Sequence, residues 1–215
     1  PCLTGMQIAD VASGSSNAVI GILAAVVHRQ RTGEGQHVDV SMTDGALSML
    51  SLHAAATLAG EIDPVRGDMM LTGMFPCYET YRCAAGGYVS VGPLEAWFWK
   101  GFVEVLGRPD LADGQYALGE EGARVKAELS NVFAGKTRDA WVRAFEGKDV
   151  CLSPVLSVTE ALSHPNTLAR KMVLPVESPL GGTDRQLGMP IKIDGVPEAP
   201  RRAPLLGEHD DEILA

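Results

Sequence analysis

The 215-residue sequence is short of positive charge: 18 Lys+Arg stand against 27 Asp+Glu, a formal net charge of −9. Beyond Arg201-Arg202 it has no basic cluster. Nucleic acid and an anionic membrane surface are therefore not expected partners, because both are recognised through concentrated Lys/Arg. Long apolar runs are also lacking. The longest, residues 22–27, falls far short of the roughly 20 residues that cross a bilayer, and no basic-then-apolar signal segment opens the chain. These absences predict a soluble, cytoplasmic protein. Cysteine is scarce too: Cys2, Cys77, Cys83 and Cys151 form no CxxC pair and have no His at ligand spacing, so neither a disulfide framework nor a structural metal is expected. No internal repeat, Walker loop, complete dinucleotide fingerprint, GxSxG or HExxH appears.

What remains is globular, at 46% apolar and 21% charged. Residues 13–17 offer helix-capping chemistry, and a helix over 18–31 runs into Thr32-Gly33-Glu34-Gly35, where glycine suits a left-handed stop. Being apolar nearly all round, this helix is expected to be buried on several sides. The alternation of residues 36–42 predicts a strand, and Thr43-Asp44 is placed to cap a second helix over 45–59. After a linker, residues 78–83 and 88–91 flank Ala84-Ala85-Gly86-Gly87 as a hairpin, and a second domain begins there. Helices are predicted over 95–106, 123–133, 137–145 and 158–162, with a short buried strand over 150–156. Past Pro175 the richness in Pro and Gly predicts an extended tail, closed by an acidic helix over 208–214.

Among the acids, Asp10 is flanked by Ile8, Ala9, Val11 and Ala12 just before a Gly/Ser-rich helix start. It either caps that helix or is a carboxylate held ready to act as nucleophile or base. Glu95 carries the same ambiguity, since an acid in a first helical turn is favoured by the helix dipole in any case. His37 and Asp39 would share one strand face, and a polar sheet face explains them as well as a dyad does. Met69, Met70 and Met74, near Phe75, could line an acyl pocket or simply pack. Trp97-Phe98-Trp99 reads as core.

Several stretches, in order, then resemble one family, the family III CoA-transferases, which include alpha-methylacyl-CoA racemases. They are Ile8-Ala9-Asp10, Gly21-Ile22-Leu23-Ala24-Ala25, Thr32 to Met42 with Asp44, and Arg66-Gly67. They continue through Tyr78, Tyr81, Gly87-Tyr88, Val91-Gly92 with Glu95, Ser153-Pro154-Val155-Leu156, and Ala203 to His209 with Glu212-Ile213-Leu214.

The resemblance implies an α/β fold: part of a Rossmann-like large domain (1–60), a linker (61–76), a smaller α+β domain (77–185) and a tail returning to the large domain (186–215), in an interlocked homodimer. It implies coenzyme A, entering as acyl-CoA, a carboxylic acid as the other substrate, and no metal. Asp10 matches the position of the family's catalytic aspartate, which in transferases attacks the thioester. In racemases that position would act as acid/base, with a His supported by a Glu matching Glu95. Racemases carry Asp-Gly-Gly after the Met-Leu of the linker, whereas this chain reads Met70-Leu71-Thr72-Gly73-Met74, and the tetraglycine loop of formyl-CoA transferase is absent. Transferase is the expected activity, with racemase as the alternative. Full-length members have a portion ahead of the Asp10 segment that holds most CoA contacts. Nothing here matches it, so the chain is expected to be a fragment or one half of a split enzyme, and a third reading is an inert dimerising piece.

Overall fold

A computed structural model describes residues 5–60, 63–196 and 201–215. Cys2, the first two linker residues and tail residues 197–200 lie outside the described residues. The chain opens with a π-helical turn, Ile8–Ser15, that continues into α1 (Ser16–Thr32), followed by α2 (Met42–Ser48) and α3 (Ser51–Leu58). The wide turn is held from inside the helix: the Ser15 hydroxyl donates to the Asp10 carbonyl at 2.8 Å and the Ser16 hydroxyl to the Val11 carbonyl at 3.0 Å. Gly33, at φ 81°, ends α1 in the left-handed conformation and returns its N–H to the Arg29 carbonyl. The turn packs closely on α2, because a Cβ on Gly45 would stand 2.7 Å from that of Ser13, which is fully buried.

Three expectations for this region need correction. No residue of α1 is buried: Val19, Ile20, Ile22, Leu23, Val26 and Val27 are all exposed, because no described layer covers them. Residues 36–41 form no ladder with any described residue, since alternation supplies a strand's side-chain pattern while a strand exists only when a neighbour takes up its N–H and C=O groups. The helix over 45–59 is two helices, broken where the Leu50 N–H turns tightly onto the Leu47 carbonyl, and its N-cap is Ser41, whose hydroxyl accepts from the Asp44 N–H. A fourth correction concerns length. The turn and α1 together run 25 residues, Ile8–Thr32, and contain an 18-residue window of mean hydropathy 1.5, long and apolar enough to cross a membrane by length and composition. Counting only uninterrupted apolar residues missed this, and inner helices of α/β proteins pass the same test.

The second half builds around a three-stranded antiparallel sheet ordered β1 (Glu79–Arg82), β2 (Tyr88–Val91), β3 (Leu152–Pro154). The predicted hairpin is present: Ala85 and Gly86 both have positive φ, at 59° and 87°, which matches the twist of the strands they join. Against one face lie α4 (Ala96–Leu106), α5 (Gly119–Ala134) and α6 (Arg138–Phe145), with a 3₁₀ segment, Pro109–Gly114, between the first two. Tyr81, Val89 and Val91 from the sheet meet Trp99, Phe102, Val103, Val125, Leu129, Phe133, Trp141 and Phe145 from the helices in one continuous core. Phe133 is its hub, with ring centroids 5.2 Å from Tyr81, 6.1 Å from Phe102 and 5.2 Å from Trp141. Each polar tip in this core finds a carbonyl: Trp99 Nε1 donates to Ala112 (2.8 Å), Trp141 Nε1 to Phe133 (2.9 Å) and the Tyr81 hydroxyl to Pro76 (2.8 Å).

Trp97 departs from the expectation of a core Trp-Phe-Trp run and is 68% exposed. Trp99, Phe102 and Val103 follow the i, i+3, i+4 stripe that faces the sheet, and a residue two before Trp99 falls on the opposite side. Beyond α7 (Val158–Ser163) and α8 (Pro165–Ala169), the predicted extended tail contains a second hairpin, β4 (Val173–Glu177) with β5 (Thr183–Leu187). Gly181 and Gly182, both at positive φ, make its turn, and Pro175 is tolerated because a two-stranded ribbon consists only of edges. The closing helix, α9, spans Asp210–Leu214.

Candidate active site

Glu95 stands at the junction of β2 and α4. Its backbone is extended, φ −77° and ψ 142°, in the N-cap position, yet its side chain accepts no helix N–H. Ser, Thr, Asp and Asn cap helices because their short side chains reach back to those groups, so capping does not account for this glutamate. The connection ahead of it is tied down on both sides. The Gly92 N–H donates to the Cys151 carbonyl at 2.8 Å. Gln115 Nε2 donates to the Pro93 carbonyl at 3.1 Å and the Leu94 carbonyl at 2.7 Å, and the Tyr116 hydroxyl donates to the Leu94 carbonyl as well. Tyr116 also meets Phe75 edge-on at 5.1 Å.

The Glu95 carboxylate acts on two neighbouring protons. Burial chiefly, with a smaller push from the Glu95 carboxylate, moves the Tyr116 hydroxyl up. Burial, then Glu95 and Asp149, do the same to the Cys151 thiol. Both groups therefore stay protonated at neutral pH. Cys77 is pushed up to about 11 by burial, so it packs as a small apolar side chain instead of acting as a thiolate.

Asp10 lies in the first turn of the π-helical segment and is exposed. Gln7 occupies that segment's N-cap position and Ser15 that of α1, so Asp10 caps neither. Among the described residues no hydrogen bond or ion pair engages its carboxylate or joins it to Glu95. His37 and Asp39 are exposed on the segment between α1 and α2. Met69 lines a cleft of about 560 Å³ with Leu47, Leu50, Leu58 and Val65, where the polar residues are His53, Thr57, Arg66 and Thr72; Met70 and Met74 do not line it. Among the described residues no three His, Cys, Asp or Glu side chains gather as metal ligands. Gln115 and Tyr116 were not legible beforehand: nothing in Asp113-Gly114-Gln115-Tyr116 announces that its side chains reach carbonyls some twenty residues earlier.

The sequence pattern of CoA-transferase family III matches residues 1–210. The chain belongs to CoA-transferase family III. It is 31% identical over 208 residues to the alpha-methylacyl-CoA racemase of Homo sapiens, covering 96% of this chain and 54% of that protein. It is 33% identical over 224 residues to the succinyl-CoA:mesaconate CoA-transferase of Haloarcula marismortui, covering 100% of this chain and 54% of that protein. The chain thus spans about half the length of these curated relatives. In fold it matches an alanine variant of Rv3272 from Mycobacterium tuberculosis, with TM-score 0.76, 23% identity, and 100% and 56% of the two chains covered. A CaiB/BaiF family protein from Brucella suis gives TM-score 0.73 at 24% identity, again covering 100% and 56%. The mixed helix and strand architecture described above is therefore the family III fold over this portion.

Proposed function

We propose that this family III chain is the portion of an acyl-CoA enzyme that moves CoA from an acyl-CoA thioester to a carboxylic acid. The observation that carries the reading is the match to the family along residues 1–210. Asp10 is assigned the nucleophile. Its carboxylate oxygen attacks the thioester carbonyl, the C–S bond breaks, and CoA leaves as thiolate from a mixed anhydride. The thiolate then attacks the aspartyl carbonyl, which releases the donor acid and leaves an aspartyl-CoA thioester. The acceptor carboxylate repeats the sequence, and Asp10 is regenerated as acceptor acyl-CoA departs. A carboxylate suits this role because its acyl products stay reactive. What supports Asp10 is that no capping or pairing role consumes it. It is exposed here, so residues of a longer protein or of a second copy would have to exclude water from it. The same reading includes a Rossmann-like large domain over residues 1–60, a small domain over 77–185, an interlocked homodimer and a cytoplasmic location.

The second reading, alpha-methylacyl-CoA racemisation, is favoured by Glu95, a glutamate at a helix start that does no capping, and by the 31% identity to a racemase. Here a base removes the α-proton that the thioester acidifies and an acid returns a proton to the other face. The test uses the complete protein with a 2-methylacyl-CoA in heavy water, with and without succinate. Acceptor-dependent new thioester, with a CoA adduct on the Asp10 peptide, supports transfer; deuterium at the α-carbon without acceptor supports racemisation. Full activity of Asp10→Ala in both assays removes Asp10 from either mechanism. Absence of both reactions in the complete protein leaves the inert dimerising piece.

A further inference from the structure

The connection Gly92-Pro93-Leu94-Glu95 carries more restraint than a link of this length requires. Pro93 fixes its own φ, the Leu94 N–H closes onto the Gly92 carbonyl at 2.9 Å, and the Gly92 N–H is tied to Cys151 at the edge of β3. On the other side one buried side-chain amide, Gln115 at 8% exposed, spends its nitrogen on two successive carbonyls, and the neighbouring Tyr116 hydroxyl doubles the bond on the second. Burying an amide costs free energy unless it is fully bonded, and an apolar residue would fill this position without that risk. The carbonyls so held are those of the two residues immediately before Glu95. Glu95 has no capping bond to hold its own side chain, so the placement of its backbone decides where its carboxylate can reach.

We infer that Gln115 and Tyr116 are positioning residues for Glu95, clamping the Pro93 and Leu94 carbonyls and thereby fixing where its carboxylate sits. The catalytic weight of this clamp rests on the reading of Glu95 given above; the clamp itself does not. Cys151 provides a reporter. Its thiol is exposed and is held protonated in part by the negative charges of Glu95 and Asp149, whereas Cys77 and Cys83 are buried. In a Cys2→Ala background, the pH dependence of Cys151 alkylation therefore senses the position of the Glu95 carboxylate, and modification of Cys77 or Cys83 signals loss of the core.

Glu95→Gln is expected to raise Cys151 alkylation at pH 7.5 by roughly two- to fivefold, the scale on which one solvent-screened neighbouring charge acts. Gln115→Met, which keeps the length and loses the donors, is expected to raise it in the same direction, with Cys77 and Cys83 still protected. Combined with Glu95→Gln it should add nothing further. Asp149→Asn should raise the rate independently of Gln115. If Gln115→Met exposes the buried cysteines, Tyr116→Phe, which removes one bond at a half-exposed site, decides by the same readout. Unchanged Cys151 alkylation in folded Gln115→Met or Tyr116→Phe, alongside a clear Glu95→Gln effect, overturns the clamp. So does a Gln115→Met effect that adds in full to that of Glu95→Gln. Failure of the catalytic reading looks different: Glu95→Gln would keep full α-proton exchange and CoA transfer in the complete protein while the Cys151 result stood.

Discussion

Truncating Phe133 tests where the stability of this chain resides. Its side chain is fully buried, and its ring lies within 5.2 Å of both Tyr81 and Trp141 and 6.1 Å of Phe102, centroid to centroid. Phe133→Ala deletes a ring shared by the sheet, α4, α5 and α6. The hydrogen bond from Trp141 survives, because it ends on the main-chain carbonyl of Phe133. The loss is therefore one of packing: a buried Phe→Ala change costs about 3–5 kcal/mol, and lost aromatic pairs, worth about 0.5–1.5 kcal/mol each, place this site toward the upper part of that range. At about 2–4 °C per kcal/mol for a chain of this size, the melting temperature should fall by roughly 6–20 °C. The comparison is Ile20→Ala on α1, where the side chain is 64% exposed and the cost should stay within about 0.5 kcal/mol. Urea titrations followed by tryptophan fluorescence, which reports Trp99 and Trp141 in the core, would measure both. A Phe133→Ala loss below about 1 kcal/mol at unchanged m-value, or an Ile20→Ala loss equal to it, refutes the assignment of the core to the second half.

Three further outcomes follow from the same geometry. Arg138 pairs with Glu160 and holds its carboxyl down to about 2 from the usual 4.5; because the folded value is the lower one, this stabilisation is complete above about 4.5 and is lost as pH falls toward 2. The urea midpoint should fall in that acid window and fall less in Glu160→Gln; an equal decline in both proteins contradicts the pairing. With its thiol at about 11, Cys77 should remain unmodified by iodoacetamide at pH 8 in the native protein and react after denaturation; peptide mass spectrometry showing native Cys77 labelling would refute its burial. Glu95→Gln in the complete protein should spare CoA transfer and reduce α-proton exchange by about 10²-fold or more, and equal loss of both would refute that division of roles.

Local chemistry made much of the second half legible. Two positive-φ positions in Ala84-Ala85-Gly86-Gly87 specify a hairpin whatever surrounds it. Apolar residues three and four apart, such as Trp99, Phe102 and Val103, announce a helix and its buried face together. Two of the departures share one cause, a partner that lies elsewhere in the chain or outside it, and the others are local. Residues 36–41 have strand alternation without a neighbouring strand, α1 has apolar residues without a covering layer, and Trp97 was judged from its apolarity when helical phase decides its side. The tail hairpin was masked by the Pro and Gly content of residues 175–182, since two glycines can terminate a strand or turn it back on itself.

The candidate site divides along the same line. Asp10 and Glu95 were singled out because their surroundings in the sequence resemble the family pattern, which is a property of the chain. That neither one caps its helix, that Gln115 and Tyr116 grip the two carbonyls before Glu95, and that Cys151 shares its surroundings required the tertiary structure. Periodicity, capping and turn preference act over a few residues and can be read along the sequence. A hydrogen bond across twenty-two positions, like that from Gln115 to Pro93, exists only once the 3₁₀ segment after α4 folds back over the start of that helix.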